Sequence, residues 1–304
     1  MKVVALAGGT GSAKLLRGLS RLDVDLTVVA NVGDNVWMYG LYICPDIDIA
    51  CYTLAGIADR TKGWGIAGDT FEALSQLSLL GTETWFRVGD RDLATSVLRT
   101  QLLRAGSTLT EVTSRIRDSF GVGTELLPVT DDPVETRVIT AKGDLHLQEF
   151  WVREKGRPRV SEVKYRGASR ATITGATKAA LKAADRIVLC PANPVTSIGP
   201  MLAIRGFARS LEESGARVVA LSPMVGRSPY SGPAGKMMKA GGIRGDSVGV
   251  AGLYSRFLDS IVISEEDADM RREIAGLGIR CTASDTLMRD GTAEVRLARE
   301  LLKA

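Results

Sequence analysis

Residues 6–16 read LAGGTGSAKLL and directly follow the apolar run KVVA. Gly8, Gly9 and Gly11 lack a Cβ, so the backbone there can approach a ligand closely. Amide N–H groups at a helix start favour an anion, and Thr10, Ser12 and Lys14 add donors and charge. That is phosphate-binding chemistry, in neither of its two common forms. A Walker loop needs glycine before the lysine, and Ala13 precedes Lys14. A dinucleotide fingerprint needs a third glycine where Lys14 stands. The competing reading is a plain strand–helix turn without a ligand.

Other polar turns repeat the theme. ANVGDN ends a second apolar run, and it places Asn31, Asp34 and Asn35 where a doubly wound fold keeps its ligand crevice. Asp34 lies roughly twenty residues beyond the glycine loop, the usual distance for an acid that reads a ribose. It equally suits a metal ion, or a plain Asx turn. In CPDIDIACYTLAG, Asp46 and Asp48 precede a helical run. They either cap that helix or hold a hydroxyl or Mg²⁺. Trp85, Phe86 and Arg87 offer a stacking surface for a flat ring, or an aromatic core anchor. In LCPANPVTSIGPML, Asn193, Thr196 and Ser197 supply donors at a second helix start, facing the first. SPMVGRSPYSGPAGKMMKAGG is dense in Pro and Gly, and reads as a lid or an ordinary surface loop.

These turns need a scaffold. KVVALA, DLTVVA, DRIVLC, ARVVAL, DSIVIS and GIRCTAS are short, β-branched and nearly continuously apolar. Such runs fit strands buried on both faces of a parallel sheet. PMLAIRGFARSLEESG has helical spacing and ends in glycine. The predicted fold is α/β, a doubly wound and mostly parallel sheet. Residues 1–50 and 170–304 form the core. Residues 51–169 read as an insertion, a helical cap plus a small β element, because helical patterns to about residue 120 give way to alternating strands.

Composition narrows the function. The chain of 304 residues is 45% hydrophobic, enough for a full-sized core. Net charge is +4, with no dense basic block and 5% aromatics, so an anionic small molecule is favoured over nucleic acid. The start is too short and too early in glycine to read as a signal peptide, and no apolar run reaches membrane-span length. Four cysteines without a CxxC pair read as free thiols in a reducing cytoplasm. The single histidine, His146, excludes a two-histidine mechanism and is given no catalytic role.

Taken in order, GGTGSAKL, NVGDN, CPDIDIACYTLAG, GWGIAGDTF, WFRVGDRDLAT, TDDPVET, LCPANPVTSIGP and GPAGKMM resemble the 2-phospho-L-lactate transferase (CofD) family of coenzyme F420 biosynthesis. The resemblance implies a Rossmann-like core with an inserted cap that contributes to the deazaflavin site, and a homodimer. It implies transfer of a 2-phospholactyl or phosphoenolpyruvyl group from a guanosine diphosphate-linked donor to the deazaflavin Fo, with Mg²⁺ required and GMP released. Asp48 and Arg87 match positions associated with Fo. Asp48 is then the candidate to orient the ribityl hydroxyl, with Trp85 or Phe86 beside the ring. Gly8–Ser12, Lys14, Asn31, Asp34, Asn193, Thr196 and Ser197 match regions lining the nucleotide and diphosphate, with Asp34 nearest the metal. Ser12, Asn35, Ile49 and Gly235 depart from the family pattern. A non-catalytic nucleotide-sugar or dinucleotide regulator, similar to gluconeogenesis factors, is the alternative. An ordinary NAD-dependent oxidoreductase is disfavoured by Lys14.

Overall fold

Strand β1 (Lys2–Ala7) is buried at every position from Val3 onward. It shows no alternation because neither of its faces meets water. In the computed structural model, which describes residues 1–230 and 232–304, β1 lies inside the main sheet. Helix α1 (Gly9–Leu19) follows at once. Next come β2 (Asp25–Ala30), a hairpin of β3 (Val36–Met38) and β4 (Leu41–Ile43), and α2 (Pro45–Leu54). Helices α3 (Glu72–Leu79), α4 (Asp90–Arg104) and α5 (Leu109–Ser119) make the cap. The start of α5 is fixed by a reciprocal capping box between Thr108 and Glu111.

Strand β5 (Glu125–Pro128) then returns to the main sheet and pairs with β2. It lies within residues 51–169, so that span is not wholly an insertion: the core draws an edge strand from it. The reason is burial, since Leu126, Leu127 and Pro128 have no solvent face. Strands β6 (Glu135–Thr140), β7 (Gly143–His146) and β8 (Val160–Arg166) form a separate antiparallel sheet, the small β element.

The second half alternates. Helix α6 (Gly175–Ala183) and β9 (Arg186–Leu189) lead to α7 (Ile198–Ala203), α8 (Phe207–Glu212) and β10 (Arg217–Leu221). The stretch PMLAIRGFARSLEESG is therefore two helices. Gly206, at φ +85°, breaks them apart. A short ladder of β11 (Met224–Val225) and β12 (Ser228–Pro229) precedes α9 (Ala234–Ala240) and α10 (Ser247–Tyr254). Strand β13 (Ser260–Ser264), α11 (Arg271–Ala275), β14 (Arg280–Ser284) and α12 (Gly291–Lys303) complete the chain.

The main sheet is parallel throughout, in the order β14-β13-β10-β9-β1-β2-β5. From β1 the chain winds outward one way, through β2 to β5. From β9 it winds the other way. The reversal lies between β1 and β9, and ligands of open α/β sheets sit at such a switch point, beyond the strands' carboxyl ends. Among the described residues no helix is long and apolar enough to cross a membrane, and the four cysteines are free.

Helix α1 is held from behind by α12. A Cβ on Gly18 would lie 2.2 Å from the Glu294 carbonyl oxygen. Gly18→Ala is expected to lower stability by about 1–3 kcal/mol through overpacking. The check is a reduced urea midpoint at unchanged slope.

Candidate active site

The loops after β1 and β9 pack directly on each other. A Cβ on Gly8 would lie 2.6 Å from Ser197 Cβ, and one on Gly11 would lie 2.3 Å from the Pro191 carbonyl oxygen. Glycine is needed here for close approach. Ser12 Oγ donates to the Gly8 carbonyl (2.8 Å) and accepts from Gly8 N–H (3.0 Å). The departure from the family pattern at this position thus staples the loop. Ser12 is buried and turned away from the cavity, which corrects its assignment as a ligand contact. Gly8 offers no side-chain cap, so of the first-turn amides of α1 those after Gly9 have no capping side chain. Opposite, Asn193 Oδ1 accepts from Val195 and Thr196 N–H, shaping the second loop. Its buried Nδ2 has no protein partner and remains a donor.

Two carboxylates meet at this junction. Asn31 Nδ2 donates to Asp34 Oδ1 (3.1 Å) and to Asp46 Oδ2 (2.8 Å). Asp46 Oδ1 accepts from Gly9 N–H at 2.7 Å, which ties α2 to the glycine loop. Burial pushes the Asp46 carboxyl up to about 6, against the bonds from Asn31 and Gly9. Asp34 is raised well above the usual carboxylate range, by burial first and then by Asp46. Two desolvated like charges sharing one amide make a place for a cation. Among the described residues no group of three or more His, Cys, Asp or Glu side chains is arranged to hold a metal. One or two carboxylates are nevertheless what Mg²⁺ takes from a protein when substrate phosphates complete its shell. Asp34, which lines the cavity, fits that ion, while Asp46, with its oxygens bonded to Gly9 and Asn31, supports it from behind.

A cavity of about 540 Å³ opens in front of Asp34, and Asp46 lies behind its wall. Gly8–Gly11 and Lys14 form one wall, and Asn193, Thr196 and Ser197 form the facing one. Asp34 lies between them. Trp64, Trp151 and Tyr230 line the remainder, with Trp151 43% and Tyr230 58% exposed. Asn31 is fully buried behind the surface, where it bridges the carboxylates.

Other expected residues lie elsewhere. Phe86 is buried in a small apolar cluster with Ile43 and Val88, and Trp85 packs against it. Arg87 lies over the Phe71 ring, 4.3 Å from its centroid. None of the three lines the cavity. The Trp85–Phe86 pair is the core anchor that its sequence equally allowed. Asp48 is buried too, ion-paired with the fully buried Arg99, and does not reach the cavity. It belongs to a polar network beneath the cap. Burial raises its carboxyl, and Arg99 opposes that shift. Asn35 turns toward Tyr42 Oη (3.3 Å), so the missing acid at this position is not missing from the cavity. His146 is structural. Its Nδ1 accepts from Gln148 N–H, which leaves Nε2 to donate to the Asn35 carbonyl at 3.1 Å.

Comparison with known proteins places the chain in a family. The family model of 2-phospho-L-lactate transferase CofD matches residues 3–290. The chain belongs to the CofD family. It is 41% identical to the 2-phospho-L-lactate transferase of Methanosarcina acetivorans, over 94% of this chain and 93% of that one. It is 39% identical to the phosphoenolpyruvate transferase of Streptomyces griseus, over 100% of this chain and 98% of that one. A UPF0052-family protein from Bacillus halodurans shares the fold with TM-score 0.67 at 16% identity, covering 99% of this chain and 98% of that one. The protein is thus a transferase enzyme of coenzyme F420 biosynthesis, with a Rossmann-like core.

For this CofD-family chain, the glycine loop and the Asn193–Ser197 turn line one cavity, whereas Trp85, Phe86 and Arg87 do not. Trp64 lies in the family-like GWGIAGDTF stretch, which carried the available signal. Trp151 and Tyr230 are far away in sequence, and only folding brings them to one mouth. Asp48 was the acid expected at the site; the structure adds Asp46, which the bond from Gly9 places against the glycine loop.

Asp92, in the network under the cap, accepts from Tyr52 Oη at 2.7 Å. Burial, then the charge of Asp48, pushes its carboxyl up to about 7. An unfolded aspartate titrates near 3.9, so the folded chain keeps a proton that the unfolded one loses between roughly pH 4 and 7. Stability should therefore fall as pH rises through that window and level off above it. Asp92→Asn is expected to flatten this slope, read from urea midpoints at about pH 5 and about pH 8.

Proposed function

We propose that this CofD transferase moves a 2-phospholactyl or phosphoenolpyruvyl group from a guanosine diphosphate-linked donor to the ribityl hydroxyl of Fo. The observation that carries the reading is one cavity with two facing anion-binding loops and a buried carboxylate pair between them. A diphosphate meets those requirements. A nicotinamide cofactor bound through the usual fingerprint does not, because Lys14 fills the third glycine position.

In this proposal the hydroxyl oxygen attacks the phosphorus that bears the lactyl or enolpyruvyl group. The bond to the bridging oxygen breaks, GMP leaves with that electron pair, and the hydroxyl's proton passes to the leaving phosphate or to solvent. Such transfers rest mainly on positioning and on neutralising charge. The α1 amides and Lys14 hold the diphosphate from one side, and Asn193, Thr196 and Ser197 from the other. Asp34 would hold Mg²⁺, with Asp46 and Asn31 fixing it from behind, and the ion would offset the charge on the transferred phosphoryl group. The exposed rings of Trp151 and Tyr230, with Trp64, suit the flat deazaflavin, since they present large apolar faces at the mouth of an otherwise polar site. Asp48 and Arg99 serve as positioning residues. Their pairing fixes the first turn of α2, which presents Asp46.

Asp34→Asn is expected to cut turnover at least roughly tenfold and to raise the Mg²⁺ concentration required, as loss of a metal-supporting group does. The assay couples Fo with each guanosine diphosphate-linked donor and weighs the product by mass spectrometry. Wild-type turnover and an unaltered Mg²⁺ requirement in the variant would remove Asp34 from the mechanism. Trp64→Ala should weaken Fo binding, followed by deazaflavin fluorescence, and leave donor affinity near wild type.

A further inference from the structure

Four cationic side chains line the cavity: Lys14, Arg17, Arg60 and Lys62. Two are already committed. Arg17 forks onto both Glu294 oxygens, the closer contact being 2.5 Å. Lys62 pairs with Asp59 at 3.1 Å and lies over the Trp64 and Phe71 rings. Lys14 has no carboxylate partner among the described residues, and its amine lies 5.3 Å from the Tyr230 ring centroid. Arg60 has neither an ion pair nor a hydrogen bond among the described residues. The two uncommitted cations come from different segments that meet at the glycine loop. Lys14 rises from α1 beside the glycine loop. Arg60 belongs to the loop after α2, which folds over that glycine loop: a Cβ on Gly63 would lie 3.6 Å from Thr10 Cγ2.

The Arg60 loop is built to hold its shape. Asp59 Oδ1 accepts from Thr61 and Lys62 N–H, each at 2.9 Å. Asp59 N–H donates to the Gly65 carbonyl (3.0 Å), and Gly63 N–H to the Asp59 carbonyl (2.9 Å). A bridge between Ala58 and Ile66 closes its base. An arginine presented into a substrate cavity from so tied a loop, with no anion of its own, is poised for an anion of the ligand.

We propose that Arg60 binds the carboxylate of the transferred acid, and so selects donors that carry a carboxylate next to the phosphate ester. The assignment rests on the donor class proposed above. Lys14 and the α1 amides already serve the diphosphate, whereas the acid's carboxylate, next to it, needs a second cation. A guanidinium fork matches a planar carboxylate with two parallel hydrogen bonds, which an ammonium cannot do.

The test compares wild type, Arg60→Gln and Arg60→Lys. Arg60→Gln should raise KM for the guanosine diphosphate-linked donor roughly 10- to 100-fold, the loss expected for a charged hydrogen-bonded contact. GDP, which lacks the carboxylate, should bind all three within about twofold by calorimetry. Arg60→Lys should recover only part of the loss. An equal loss for GDP and donor overturns the proposal in favour of a diphosphate contact, and unchanged KM overturns it outright. A second readout does not depend on turnover. Phosphoenolpyruvate alone should raise the wild-type melting temperature more than inorganic phosphate does, and Arg60→Gln should erase that difference. If wild type shows no such difference, the assignment of Arg60 fails. If wild type shows the difference but transfers nothing to Fo, the reaction proposed above fails and the carboxylate assignment stands.

Discussion

Everything at the candidate site depends on the contact between two loops at the centre of the sheet. Gly8 and Gly11 let the turn after β1 lie against Ser197 and Pro191 from the turn after β9. Any side chain at either position would force the two strand ends apart. With them in contact, two sets of anion-binding donors face one volume. Tyr165 Oη reinforces the contact from β8 by donating to the Val195 carbonyl at 2.6 Å. Gly199 makes room for that ring, since a Cβ there would lie 2.2 Å from Tyr165 Oη. The small antiparallel sheet is thereby fastened to the core at the site.

The buried acids follow from the same geometry. Asn31 ends β2 one strand away, and its single amide reaches both Asp34 and Asp46. An uncompensated pair of carboxylates in low dielectric is unfavourable, and their raised proton affinity expresses that. In the proposed reaction, such a pair next to the two loops would have a use for positive charge. The Asp48–Arg99 pair is a different solution to a similar difficulty. There the counter-charge is supplied by the protein, and the pair is sealed beneath the cap. Two aspartates, two residues apart on one helix, thus have opposite fates because successive positions on a helix point in different directions.

The cap explains why aromatic residues misled a reading by neighbourhood in sequence. Trp85, Phe86 and Arg87 are adjacent and chemically suited to a ring, yet Phe86 and Trp85 close an apolar cluster with the β3–β4 hairpin. The rings that do face the cavity come from three separate segments, around residues 64, 151 and 230. A strand-like alternation also concealed β5, whose place in the core depends on pairing with β2.

The sequence by itself determined the parallel sheet, because strands buried on both faces must be continuously apolar. It also determined the glycine loop, because close backbone approach needs residues without a Cβ. The order of the family-like motifs was likewise legible, and with it the transferase family. Tertiary structure decided that Asp46 ties α2 to the glycine loop and that Asp48 pairs with Arg99, since both acids have the same local pattern and only long-range partners separate them. It decided that Ser12 staples a loop and that Asn31 bridges two acids from behind the cavity wall. It also decided which cations are free. Lys14, Arg17, Arg60 and Lys62 are alike as charges in the sequence, but Glu294 lies 277 residues from Arg17, and only folding spends that arginine on a partner.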